Sequence, residues 1–128
     1  MTADARFPPE CHIRRGADFD RAYHRRSAAS DDVLLVFACE NRLPYTRLGL
    51  SVSRKVGGAP QRNRWKRRLR EAFRLSHGQL PTGVDLVIVP KAPQEPPFDV
   101  LARSLVRLAQ RAARRLATPA PAPRGKTR

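Results

Sequence analysis

Helical and strand patterns follow one another along this 128-residue chain in the order α-β-β-α-β-α, which predicts an α/β (α+β) two-layer sandwich. Three observations carry that expectation. Val33 to Cys39 and Arg47 to Ser53 alternate with the period of two that a strand requires. Arg62 to Arg74 and Phe98 to Leu116 repeat apolar residues with the period of a helix. Val84 to Val89 is a short, nearly continuous apolar run, as in a buried strand.

Taken in order, residues 1–15 form an extended N-terminal segment, because Pro8 and Pro9 block a helix. Ala17 to Arg26 is a short helix, with Asp18 in its first turn and Phe19 and Tyr23 at i, i+4 on one face. Ser27 to Asp32 reads as a loop in which an aspartate of the Asp31-Asp32 pair serves as a cap. In the first strand Val33, Leu35 and Phe37 face one way and Leu34, Val36 and Ala38 the other. Asn41 and Pro44 mark the connection at Glu40 to Thr46. In the next strand Leu48, Leu50 and Val52 share a face, and Gly49, Ser51 and Ser53 share the opposite one. These two strands are expected to pair antiparallel.

Gly57, Gly58 and Pro60 end the second strand and precede the basic helix; His77 and Gly78 end that helix, with Pro81 beyond. Strand, helix and Val84 to Val89 then make a β-α-β unit, for which the general rule is a right-handed crossover. Pro90 to Pro97 is a proline-rich connection. The last helix places Leu101, Leu105, Leu108 and Leu116 on one side, with Arg103, Arg107, Arg111, Arg114 and Arg115 elsewhere. Residues 1–116 are expected to form a single domain. The basic Pro/Ala-rich tail, 117–128, has the composition of a disordered segment.

A formal net charge of +15 implies a polyanionic partner, most often nucleic acid. A membrane surface is the competing polyanion, but no apolar run approaches the ~18 residues of a spanning helix. Met1 to Pro9 lacks the apolar stretch of a signal peptide, so a cytoplasmic location is expected. Cys11 and Cys39 have neither disulfide-framework nor metal-site spacing and read as reduced thiols. His12, His24 and His77 are scattered, and no metal site is expected. The acidic residues are dispersed and form no catalytic cluster along the chain. Gly57-Gly58 lacks the lysine of a phosphate loop and serves a turn.

The basic helix is the most informative segment. Seven of the thirteen residues from Arg62 to Arg74 are Lys or Arg, and one is acidic. At roughly 100° per residue, Trp65, Leu69, Ala72 and Phe73 fall on one face. Asn63, Lys66, Arg67, Arg70 and Arg74 form a stripe near the opposite side. A surface helix often carries charge merely for solvation. Here the like charges are barely relieved by acids and repel one another, which favours a bound polyanion. Asn63-Arg-Trp-Lys-Arg67 sounds like a DNA-reading helix, but such a helix belongs in a helical bundle, and this one lies between strands. Phe19, Tyr23 and Phe37 are either ordinary core residues or, on an open sheet face, platforms for unpaired bases.

The segment from Arg47 to Phe73 resembles the bacterial ribonuclease P protein subunit. The shared features are a strand ending in Arg54-Lys55, a glycine turn, and Arg-Asn-x-x-Lys-Arg-x-x-Arg opening a helix. Weaker similarity runs from about Phe7 to Leu116. The resemblance implies a ribosomal-protein-like fold whose β-α-β crossover is left-handed, against the general rule. It implies a protein that binds a catalytic RNA and the single-stranded 5′ leader of precursor tRNA. The RNA would perform the endonucleolytic removal of the leader, with magnesium bound mainly by RNA, and no catalytic residue or metal ligand would lie in the protein.

Carried over by position, the RNA-facing residues would be Arg54, Lys55, Arg62, Asn63, Lys66, Arg67 and Arg70, with Arg74 added by the helical stripe. The leader cleft would include Phe19, Tyr23, Leu35, Phe37 and Ser51. Neither a membrane nor an obligate protein partner is implied. Pro60 stands where the family commonly has a branched apolar residue, so the helix is expected to start a residue later. Trp65 replaces a smaller aliphatic residue, which should repack the core below. The competing function is a structural ribosomal protein or general RNA chaperone, which explains the charge and fold but not the ordered motif at 62–70.

Overall fold

The computed structural model describes residues 9–117. Within them the chain forms α1 (Gly16–Arg25), β1 (Ser27–Ser30), β2 (Leu34–Glu40), β3 (Arg47–Leu50), α2 (Ala59–Leu75), β4 (Val84–Pro90) and α3 (Phe98–Ala117). The strands form a four-stranded sheet in the order β1-β2-β4-β3. Helices α2 and α3 pack on one face, giving the mixed α+β sandwich the sequence predicts. Short α1 lies across part of the other face.

Two sequence expectations are corrected by this topology. Ser27 to Ser30 is an edge strand, paired antiparallel with β2 from Ser27↔Ala38 to Ser30↔Leu35. Small residues have little intrinsic strand preference; pairing and burial decide here. Ser27 is buried, and its hydroxyl donates to the Ala112 carbonyl of α3 at 2.7 Å. The second correction concerns β2 and β3, which are not neighbours. β4 lies between them, antiparallel to β2 and parallel to β3. As the central strand it is covered on both faces, which accounts for its continuous apolar run.

Leu34, Val36 and Ala38 of β2, Leu48 of β3, and Leu86 and Ile88 of β4 face the main core. Trp65, Leu69 and Phe73 of α2 and Leu101, Leu105 and Leu108 of α3 close it from above. A smaller cluster on the opposite face joins Ile13, Ala22, Cys39 and Val87 with the rings of Phe19, Tyr23 and Phe37. The sheet therefore separates a fully apolar core from a smaller aromatic one, as the alternation of β2 requires.

Helix α2 begins at Ala59, earlier than expected, with Pro60 inside its first turn. Proline is tolerated there because the first-turn N–H groups have no partner within the helix. Trp65 is fully buried, and its indole N–H donates to the Pro93 carbonyl at 3.3 Å. Burying a side chain of this size is worth roughly 3–5 kcal/mol over alanine. The N-terminal segment docks on β3: His12 bridges Leu48 in parallel, and Ile13 N–H donates to the Leu48 carbonyl at 2.9 Å. The tail expected to be disordered lies outside the described residues, apart from Ala117 at the end of α3.

Asp31 is the loop cap. Its Oδ1 accepts from the backbone N–H groups of Val33 at 2.8 Å and Leu34 at 2.9 Å. Its other oxygen meets the Ser104 hydroxyl and Arg107 of α3. Burial raises the carboxyl pKa, but the hydrogen bonds from Ser104, Leu34 and Val33, with the charge of Arg107, outweigh it and lower the pKa overall. A lowered folded-state pKa contributes stability above the unfolded value that is lost as pH falls through the folded one. Acidification below about pH 4 should therefore destabilise the wild type. In Asp31→Asn that loss should be shallower, though not abolished, since Glu40 and Glu71 are shifted the same way by Arg25 and Arg74. Urea midpoints at several acidic pH values test this; parallel curves for the two proteins would remove Asp31 from the account.

Candidate nucleic-acid interface

The cationic helix is launched by a tight turn. After β3, Ser53 Oγ accepts from Lys55 N–H at 3.2 Å and caps a single 3-10 turn, Arg54–Val56. Gly57 follows with φ 141°, a conformation that side-chain-bearing residues rarely adopt. A Cβ there would lie 2.0 Å from Gln61 Oε1 and would also displace that side chain, but it is the backbone conformation that calls for glycine. The turn leaves Arg54 and Lys55 exposed at the foot of α2.

The seven basic residues of α2 divide into two groups. Arg64 pairs with Glu95 at 2.6 Å, and Arg68 Nε reaches the same carboxylate at 3.4 Å. Arg68 also donates to the Pro96 carbonyl and lies over the Phe98 ring, 5.9 Å from its centroid. Together with Gln61 and Trp65, which both donate to the Pro93 carbonyl, these arginines fasten the proline-rich 91–97 connection along one flank of α2. Arg74 pairs with Glu71 one turn back, its Nε donating at 3.1 Å. That bond raises the Arg74 pKa and lowers that of Glu71.

The remaining four, Arg62, Lys66, Arg67 and Arg70, meet no carboxylate among the described residues. With Asn63 they occupy an arc of about 140° on the flank away from Glu95. Lys66 and Arg70 line a cleft of about 100 Å³ with His12, Leu48 and Leu50, so this arc looks over the β3 edge of the sheet. Of the sequence-predicted stripe, Arg74 is the exception, since it is already neutralised within the helix.

The predicted cleft residues gather on the α1 side of the sheet. Cross-strand register aligns Phe37, Val87 and Gly49 in one row, and Leu35 with Val89 in the next. Ser51 continues the β3 edge, its N–H donating to the Ile88 carbonyl at 3.0 Å. Phe19 lies directly on Gly49: a Cβ there would be 2.9 Å from the ring, too close for any substitution without displacing it. Tyr23 meets Phe37 edge to face, with centroids 5.0 Å apart and planes at 79°. Phe19, Tyr23, Leu35, Phe37 and Ser51 are all half-buried. Helix α1 covers the aromatic row and leaves the row of Leu35 and Val89 at its margin.

Sequence reasoning missed the group that holds α1 in place. Asp85 on β4 is fully buried and faces α1. Its carboxylate accepts from Arg47 at 2.7 and 2.6 Å, from Arg21 of α1 at 2.9 Å and from Asn41 at 3.0 Å. These hydrogen bonds are the main cause of the raised Arg47 pKa. Asp18 adds ion pairs to Arg21 and Arg47 at 3.4 and 3.6 Å. The available signal was a lone acid inside an apolar strand, which burial forces to find partners. Cys11 and Cys39 are both buried free thiols, and burial pushes the Cys11 thiol pKa up. Among the described residues no three His, Cys, Asp or Glu side chains gather to hold a metal ion, and no helix is long and apolar enough to cross a membrane.

A small, strongly basic α+β domain, whose cationic arc meets no carboxylate among the described residues and lies beside a half-open aromatic sheet face, has the construction of a polyanion-binding protein. Comparison with known proteins narrows that class. The family model for ribonuclease P matches residues 7–113. The ribonuclease P protein component of Oleidesulfovibrio alaskensis is 44% identical over 86 residues, covering 66% of this chain and 69% of that protein. That of Thermotoga petrophila is 38% identical over 79 residues, covering 62% and 68%. The structure of the RNase P protein from Thermotoga maritima superposes with a TM-score of 0.72 at 30% identity, over 78% of this chain and 96% of that one. The Staphylococcus aureus RNase P protein gives 0.69 at 27% identity, over 78% and 93%. The chain belongs to the ribonuclease P protein component family. Membership implies a role in a tRNA-processing ribonuclease and an RNA partner.

Proposed function

We propose that this protein seats on a catalytic RNA through the free arc of α2 and steers the single-stranded 5′ leader of precursor tRNA across the α1 side of its sheet. One observation carries the proposal. Acids neutralise Arg64, Arg68 and Arg74, whereas Arg62, Lys66, Arg67 and Arg70 have no countercharge among the described residues and share one arc. Four like charges at helical spacing repel one another, and a phosphate backbone relieves that repulsion while releasing its own counterions. Arg54 and Lys55 extend the same field from the turn before the helix.

Half-buried Phe19, Tyr23 and Phe37 offer ring faces and edges to unpaired bases, with Leu35 and Ser51 beside them. Cleavage would belong to the RNA, with magnesium held mainly by RNA phosphates. The protein would raise affinity for precursor over mature tRNA. Isolated protein added to precursor tRNA should therefore give no 5′ processing; efficient processing without RNA would overturn the proposal.

Phe19→Ala tests the cleft. In the reconstituted complex it should weaken leader-bearing substrate more than leaderless tRNA by ~1–3 kcal/mol, the worth of one stacked base. Using the ratio removes any loss shared by both substrates through weakened packing on Gly49. Equal loss for both would make Phe19 a core residue only. The RNA that co-purifies with the protein separates this function from a ribosomal one: a discrete non-ribosomal RNA fits the proposal, and ribosomal RNA does not.

A further inference from the structure

The outer face of α3 carries a charge that the α2 interface does not use. Arg103, Arg107, Arg111 and Arg115 recur every fourth residue, about 6 Å apart along the axis and drifting about 40° per step. All four are exposed. Arg103 has an ion pair with Asp99 at 3.4 Å, but both side chains are 70% exposed, where such pairs are worth little. Arg107 shares Asp31 with Ser104 yet remains 54% exposed. Arg111 and Arg115 meet no carboxylate among the described residues.

Arg103 and Arg107 border a groove of about 330 Å³ between α3 and the C-terminal end of α2, and Arg111 follows one turn farther along α3. Half-buried Ala102 and Val106 give it an apolar lining, and both pack on the main core beneath. Arg103, Arg107 and Gln110 give it a polar border, with Gln110 donating to the Gln79 carbonyl across it at 2.8 Å. The volume lies at the small end for ligand pockets. We propose that this groove is a second RNA site, which takes one unpaired nucleotide while Arg103 and Arg111 hold its flanking phosphates. An apolar protein segment fits less well, because seating it would strip water from the bordering guanidinium groups without pairing them. No aromatic ring lines the groove, so the base would stack on guanidinium planes and hydrogen-bond along its edge.

The site is separate from the first. The free arc of α2 looks over β3, whereas the groove lies on the α3 side, beyond the flank neutralised by Glu95. The inference rests on the RNA-binding function proposed above, and the test keeps the two apart. The full chain is titrated with a short uridine-rich single strand carrying photoreactive thiouridine, at several salt concentrations. Arg103→Ser with Arg111→Ser should reduce the slope of log K against log salt by about 1.4, at roughly 0.7 per lost phosphate contact to a single strand. Ultraviolet cross-links should fall in the segment from Ala102 to Arg111. An unchanged slope, or cross-links confined to α2 and the α1 face of the sheet, would overturn the second site. If Arg67→Ala with Arg70→Ala flattens the slope in the same assay, the first interface stands without it. If neither pair of substitutions has an effect, RNA binding through both surfaces is refuted.

Discussion

Replacing Asp85 with alanine is expected to destabilise the fold by about 3–5 kcal/mol, the cost of breaking a buried ion pair from one side. The carboxylate is fully buried and accepts four hydrogen bonds, from Arg47, Arg21 and Asn41. Its loss leaves the largely buried Arg47 guanidinium with Asp18 at 3.6 Å as its remaining ionic partner. A domain of ordinary stability, roughly 5–15 kcal/mol, would lose a large part of it. Urea unfolding measures the total. Amide exchange resolves where the effect falls: α1 should open before α2 and α3, because it loses its Arg21 tie to the buried carboxylate and keeps the exposed Arg25–Glu40 pair and the longer Asp18–Arg47 contact. Asp85→Asn keeps the shape and some hydrogen bonds but removes the charge, and should fall between the two. A loss under about 1 kcal/mol for Asp85→Ala would mean that water or Asp18 replaces the carboxylate readily.

Arg67→Ala with Arg70→Ala should leave the fold intact, since both side chains are exposed. Assembly with the catalytic RNA should weaken, and its salt dependence should flatten by about 1.4–1.8 in slope for two lost phosphate contacts. The informative control is Arg64→Ala on the same helix. Its guanidinium is already paired with Glu95, so its removal should change the slope little. Equal flattening by Arg64→Ala would mean that total charge, not the unpaired arc, sets the affinity.

That control shows where sequence reasoning stopped. Periodicity alone assigns Trp65, Leu69, Ala72 and Phe73 to the buried face, and all four are buried. It cannot distinguish Arg64 from Arg67, because their difference lies in Glu95, some thirty residues away in sequence and brought alongside by the 91–97 connection. The same limit explains the sheet. Alternation in β2 gives its two faces correctly, since that is a local property of the extended backbone. Which strand lies beside it is not local: β4 enters between β2 and β3 after a helical crossover. Ser27 to Ser30 shows no strand pattern, because its residues are small and its pairing is imposed by β2 and α3.

By itself, then, the sequence determined the three helices and the strands β2, β3 and β4, the apolar and cationic faces of α2, and the motif from Arg54 to Arg70 that marks the family. Each is written in spacings of a few residues, where backbone period dictates which side chains lie together. Only the tertiary structure decided which of those cations remain free, how Phe19 comes to lie on Gly49, and that a buried Asp85 holds α1 against the sheet. Those are meetings between residues far apart in sequence, set by how the burial of two apolar faces closes the chain on itself.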